Sequence, residues 1–308
     1  MSSAEARRAR VLPVMLLSGA VLFWGTSFAA TKTALDSFAP MTVIWLRMVV
    51  ATVVVLPFLP RLPRPRYKPG DWRLLALSAL FIPCFYYLCE GYAVRFTTSS
   101  QAGVVSAVVP LLVAAGAWLF LKERLTVRSV IAIAVSLVGV AMLSLGGVEQ
   151  ASASNPLLGN SLELLAMVAA TGSMLSIKHL TERYDAWFLT GMQAIVGAVF
   201  FLPFALSDGL QRVLVAPPAA WACVGYLGVF VSLGAFGMYN TALKLMPASR
   251  ASIAINMVPA VALLTGWLAR GESLAVVQLI ACVLIVGAVV SSEMGTDDSQ
   301  VRLQTEKP

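Results

Sequence analysis

Ten stretches of about 20 apolar residues, with almost no charge inside them, constrain this chain more than anything else in it. They lie near 11–31, 40–60, 74–94, 98–121, 126–146, 157–177, 187–207, 219–242, 250–269 and 274–292. At about 1.5 Å of helix per residue, ~20 residues cross the ~30 Å hydrocarbon core of a bilayer. Lipid offers no partner to an unpaired backbone amide, so helix is the required form. The pattern predicts an all-α membrane protein with ten transmembrane helices. Composition agrees: 59% of the 308 residues are apolar and 12% are charged, against roughly 25% charged in soluble domains. That charge density does not cover a water-soluble fold.

The net charge of +7 raises the question of nucleic acid, but the basic residues sit in short loops between apolar runs and form no continuous stripe. Membrane topology accounts for them, and no nucleic-acid partner is expected. With the N-terminus inside, the inner segments hold 17 Lys and Arg. The outer loops hold four, Lys32, Arg95, Arg212 and Arg270, and Arg47 lies within a span. The bias predicts that both termini are cytoplasmic, in a bacterial inner (plasma) membrane. The run 11–31 behind Arg7, Arg8 and Arg10 is read as an uncleaved first span, being long for a signal sequence. The polar tail 293–308 is expected to be disordered. Cys84, Cys89, Cys223 and Cys282 all fall in apolar runs without metal-ligand or disulfide spacing, so they read as small buried hydrophobes. No metal or cofactor is expected.

The stretch 93–140 aligns without a gap on 242–289, with 13 of 48 positions identical. Pro110/Pro259, Trp118/Trp267 and Glu123/Glu272 are among them, and shared composition does not readily produce such matches. Earlier spans align at a shift of 146, with Ser27/Ser173, Lys32/Lys178 and Leu56-Pro57-Phe58 on Leu202-Pro203-Phe204. The boundaries are expected at 11–146 and 157–292. Five spans per copy make the second copy enter from the opposite side, so the repeats are expected to be inverted. Inverted repeats recur in transporters, with the solute site between the halves near the midplane.

The run Phe23-Trp24-Gly25-Thr26-Ser27-Phe28, Arg47, and the series Ala93…Ser100-x-Ala102…Pro110…Leu121-Lys122-Glu123 resemble the EamA-domain transporters of the drug/metabolite transporter superfamily. The second copy keeps Ala242…Ser249-x-Ala251…Pro259…Gly271-Glu272. The resemblance spans about 8–292. It implies a ten-helix carrier of two repeats, often an exporter of amino acids or other metabolites. The second copy departs from the first: Gln193 stands for the arginine, and Ala170-Thr171 for Trp-Gly. An asymmetric site follows.

Polar groups inside spans are expensive and carry a default functional hypothesis. Arg47 and Glu90 lie at similar depth, about 10 Å below the outer surface at 1.5 Å per residue. An ion pair between them eases burial of both. A structural pair and direct work on solute or proton both fit. Their repeat mates are Gln193 and Tyr239, where a neutral hydrogen bond is a possible replacement. Candidate solute contacts are Trp24, Ser27, Arg47, Tyr86, Glu90, Tyr239, Asn240 and Asn256, several of them on shared helical faces. Ordinary helix packing by small and hydroxylated residues competes with that reading. Pro110 and Pro259, read as mid-helix prolines, are candidate conformational residues. Glu123 and Glu272, in tight turns, suit a capping or loop-clasp role.

Catalysis is not expected, since no aspartate lies within a predicted span and the only histidine, His179, is at a cytoplasmic edge. A phosphate-binding Gly-Lys-Ser/Thr loop is absent, so ATP-driven transport has no support. A membrane receptor or scaffold is the alternative to a transporter, but it does not require inverted repeats. The related four-span multidrug exporters rely on a glutamate in the first span. Here that span has no acid, so proton coupling falls to Glu90 or Glu163, and facilitated transport stays open. The leading expectation is export of amino acids or related compounds by alternating access. Drug or nucleotide-sugar transport on the same fold is the runner-up. The partners are a small-molecule solute and the lipid bilayer, and a monomer suffices. The charge bias makes one prediction. A fluorescent reporter fused after Pro308 lights up in the cytoplasm, and a phosphatase placed between 146 and 157 is active outside. Opposite readings at both points overturn the orientation.

Overall fold

The computed structural model describes residues 3–63, 65–121, 127–145, 153–208, 213, 215–246 and 248–288. Glu123, the side chain of Ser249 and the expected tail 293–308 lie outside the described residues. Those residues form helices and no strands. In chain order the helical segments are α1 (Ser3–Leu35), α2 (Pro40–Val55), α3 (Asp71–Phe96), α4 (99–121), α5 (Val127–Leu145), α6 (Pro156–Leu180), α7 (Ala186–Asp208), α8 (Pro218–Leu245), α9 (248–270) and α10 (Val276–Ala288). Six helices are long and apolar enough to cross a membrane, those beginning at Val11, Asp71, Ser99, Pro156, Ala186 and Pro218. Four shorter apolar helices accompany them: Pro40–Val55, Val130–Leu143, Ala254–Arg270 and Val276–Ala288. The second apolar run was expected to continue to about residue 60. Its helix stops at Val55, and a turn leads into a short 3-10 segment at Leu59–Arg61. Pro57 and Pro60 in that run deny the backbone the amide donors a continuing helix needs.

Four helices change pitch, in two matching pairs. α3 passes through a π-type segment at Leu80–Phe85, where Ile82 leaves helical geometry (φ −130, ψ 121). α8 does so at Leu227–Ala235. α4 contains a 3-10 turn at Ser106–Val108 and α9 another at Ala254–Met257. Pro110 and Pro259 therefore do not interrupt continuous α-helix as expected. Each sits in the first turn of the helical stretch that follows its 3-10 turn, where a missing amide hydrogen removes little.

The bundle interleaves the two related stretches of sequence. α2 lies along α7, α3 along α6, and α1 and α4 along α9. The outward faces are apolar: Val53, Trp118, Val199 and Trp267 are each more than half exposed, a surface suited to lipid.

Long polar side chains close the helix ends. Lys32 donates through Nζ to the carbonyls of Val94 (2.7 Å) and Thr97 (2.6 Å) at the end of α3. Lys178, its repeat mate, donates to those of Leu243 (2.6 Å) and Met246 (3.0 Å) at the end of α8. Cations favour helix C-termini because the last carbonyls lack intrahelical partners. Lys32 is thus buried rather than a loop charge, as the topology count took it to be. Removing one lysine from each side leaves the sign of the bias unchanged. At the start of α4, the Glu272 carboxylate accepts from the Ser99 and Ser100 amides (2.9 and 2.8 Å) and hydroxyls (2.8 and 2.6 Å). This is the clasp expected of that glutamate, and it binds α4 to the end of α9.

Beneath the clasp α4 and α9 approach so closely that a Cβ on Gly103 would overlap the Ala262 methyl. Gly103→Leu is expected to separate the helices and lower the detergent melting temperature by several degrees, an overpacking loss of about 1–3 kcal/mol. Gly225→Ala, where a Cβ meets nothing within 4 Å, serves as the neutral control. Equal melting of the two variants would refute the tight crossing.

Candidate functional site

Downstream of its irregular segment, α3 regains helical pitch at Tyr86. One-turn spacing then stacks Tyr86 and Glu90, and the Tyr86 hydroxyl donates to Glu90 Oε1 at 2.8 Å. Arg47, 1% exposed on α2, faces this pair. Its Nη1 lies 3.5 Å from Glu90 Oε2, its Nη2 donates to the Tyr87 hydroxyl at 3.4 Å, and its Nε donates to Ser232 Oγ on α8 at 3.0 Å. The guanidinium also lies over the Tyr87 ring, 4.6 Å from its centroid, a favourable placement for a desolvated cation. The ion pair foreseen from the sequence is present. It is long beside the 2.7–2.9 Å of a strong charge-assisted bond, so Tyr87 and Ser232 share in compensating the buried charge.

Next to this cluster lies a small cavity of about 50 Å³. Trp24 and Ser27 of α1, Tyr86 of α3 and Ser106 of α4 line it from one side, and Met167 of α6 and Phe236 of α8 from the other. Trp24 packs on Phe236 and Tyr239, with ring centroids 5.3 and 5.1 Å apart. Its indole Nε1 is buried without a hydrogen-bond partner among the described residues. A buried donor left unpaired costs about 1–3 kcal/mol. Ser27 donates to the Trp24 carbonyl at 2.7 Å. A cavity of that size has room for only a few waters, so a larger solute needs the walls to part.

Three sequence candidates, Trp24, Ser27 and Tyr86, thus reach the cavity, and Arg47 and Glu90 adjoin it. Tyr239 stands behind Trp24 and donates to Met174 Sδ at 3.4 Å. Asn240 is off the wall and donates to Thr190 Oγ1 at 3.0 Å. Asn256 lies on the 3-10 turn of α9, also outside the lining. The mirrored neutral pair does not form. Gln193 instead donates to the Ile82 carbonyl at 2.9 Å, filling the gap that the non-helical geometry of α3 opens in its hydrogen-bond ladder. The methionines of α6 were missed by the sequence reading, because an apolar side chain in an apolar run carries no signal. Glu163 on α6 is the other acid to which the sequence assigned proton coupling, beside Glu90. It is fully buried, and neither carboxyl oxygen has a hydrogen-bond partner among the described residues.

The description "EamA-like transporter family" matches this chain twice, over residues 11–145 and 157–292. The chain belongs to the EamA-like transporter family. It is therefore a multi-pass membrane transporter and not an enzyme. Among its relatives is the uncharacterized transporter YetK of Bacillus subtilis, 24% identical over 89% of this chain and 84% of that protein. A "probable terminal-alkyne amino-acid exporter" of Streptantibioticus cattleyicolor is 25% identical over 82% of this chain and 83% of that one. The S-adenosylmethionine/S-adenosylhomocysteine transporter of Chlamydia trachomatis is 27% identical over 85% and 83%. A crystal structure with 19% sequence identity shares the fold, with a TM-score of 0.61 covering 92% of this chain and 96% of that one.

The Arg47 cluster of this EamA-family chain makes a stability prediction. Glu90→Gln strands a buried guanidinium and is expected to cost about 3 kcal/mol, read as a lower melting temperature in detergent. Adding Arg47→Gln recovers part of the loss. Strictly additive losses in the two single variants would show that the pair is uncoupled.

Proposed function

We propose that this transporter is a ten-span carrier of two inverted halves, 11–146 and 157–292, which exports amino acids or related zwitterions by alternating access. Both termini face the cytoplasm, and the membrane is the bacterial inner membrane. The inverted arrangement draws support from the twin lysine caps, since the carbonyls met by Lys32 and Lys178 occupy equivalent repeat positions. The paired irregular segments of α3 and α8, and of α4 and α9, point the same way.

The observation that carries the substrate reading is the cavity at the junction of the halves. It combines aromatic walls, an unpaired indole donor and an adjacent Arg47–Glu90 pair. Aromatic walls take up an apolar side chain, and the indole donor suits a carboxylate. Arg47 and Glu90 offer both signs of charge to a zwitterion. Two relatives named for the transport of an amino acid or an amino-acid derivative favour the same class. Pro110 and Pro259 begin the stretches beyond the 3-10 turns, where α4 and α9 bend as the walls part.

Counterflow in proteoliposomes tests this reading. Labelled aromatic and aliphatic L-amino acids are expected to exchange faster than nucleosides or cationic dyes. Trp24→Phe keeps the ring but removes the donor, and should slow amino-acid exchange about tenfold, the worth of ~1.4 kcal/mol. Faster exchange of dyes or nucleosides would favour the drug or nucleotide-sugar alternative instead.

A further inference from the structure

Among the described residues, Glu163 is buried with no hydrogen-bond partner for either carboxyl oxygen. Gly159, one turn before it on α6, abuts Thr97 and the Ala93 carbonyl of α3. The two helices run antiparallel from that contact, so Glu163 on α6 and Glu90 on α3 each stand about one turn further into the bundle. Glu163 lies within electrostatic reach of Glu90, Tyr86 and Cys89. These are the titratable groups that α3 turns toward it, and Arg47 of α2 stands behind Glu90. α4 has no charged or titratable side chain between 99 and 121, and the single charge of α5, Arg128, has its side chain outside the described residues. α8 brings Tyr239, which is engaged with Met174 further along α6. On α9 the described charge, Arg270, lies in the last turn, and the side chain of Arg250 is outside the described residues.

The two glutamates are therefore unlike. Glu90 has Arg47 and the Tyr86 hydroxyl as partners, whereas both oxygens of Glu163 are unpartnered. An ionised carboxylate in that position bears a heavy desolvation penalty and repulsion from Glu90. A bound proton removes both. Glu163 is also one helical turn from Met167 on the cavity wall, close to any solute held there.

We propose that Glu163 is a proton-binding site that couples solute export to proton entry. The outer water supplies a proton to the Glu163 carboxylate. The carboxyl stays neutral while the bundle changes over, and the proton leaves to the inner water as solute is taken up for export. One proton moves inward for each solute moved outward. Competition gives the coupling, because the ammonium group of an amino acid near Met167 supplies the positive charge that the proton otherwise brings. This rests on the amino-acid reading above, but proton binding itself does not need the solute.

Infrared difference spectroscopy of the solute-free protein in lipid tests the proton site. A carbonyl band of a neutral carboxylic acid is expected, diminishing as pH rises. It is lost in Glu163→Gln and shifted in Glu163→Asp, and the aspartate variant decides if the glutamine variant does not fold. In proteoliposomes Glu163→Gln is expected to lose accumulation driven by a pH gradient. A band that survives in Glu163→Gln or ignores pH overturns the proposal, as does retained gradient-driven accumulation or a requirement for sodium in place of protons. If the wild-type protein exchanges no amino acid, the substrate reading fails, and the spectroscopic titration still decides Glu163.

Discussion

Lipid supplies no hydrogen bonds, so every helix end and every irregular stretch in this bundle needs a donor or acceptor from within. That constraint organises the polar residues. Lys32 and Lys178 reach the last carbonyls of α3 and α8. Gln193 reaches the Ile82 carbonyl where α3 leaves helical geometry, and Glu272 covers the first amides of α4. The last two join segments more than a hundred residues apart in sequence. In meeting local backbone needs they also fix which helices are neighbours.

The same economy of partners makes the centre asymmetric. At one place a guanidinium is held by a carboxylate, two hydroxyls and an aromatic face. Its repeat mate is a neutral amide that serves the backbone. Charge is thus concentrated on one side of a cavity whose walls are otherwise mostly apolar and aromatic. A site built from two related stretches can hold two chemically different ends of a solute only if the stretches have diverged in this way. Arg47 and Gln193 are one such point of divergence.

Much of the fold was legible. The apolar runs located the helical segments, and the family motifs led to the family that the comparison established. The readings that failed did so for local reasons. Pro110 and Pro259 looked like interruptions of continuous helix because the 3-10 turns before them leave no mark in an apolar run. The irregular segment of α8, Leu227–Ala235, contains no proline at all, so nothing in its own residues announced it. Lys32 was counted among loop charges because a lysine near a predicted span end looks the same whether it meets water or a carbonyl.

By itself the sequence determined the helical class, the membrane as solvent, the family and the duplicated pattern. Each follows from constraints that act along the chain: the length of an apolar run, the scarcity of charge within it, and motif spacing. It also marked Arg47 and Glu90 as expensive residues in need of partners. Only the tertiary structure decided that Arg47 also meets Ser232, 185 positions away, that Gln193 serves a carbonyl rather than Tyr239, and that the Glu163 carboxyl finds no hydrogen-bond partner among the described residues. Helices in lipid choose neighbours by the sum of many weak packing contacts. No single residue encodes that sum, so the partners of a buried polar group appear only when the bundle is assembled.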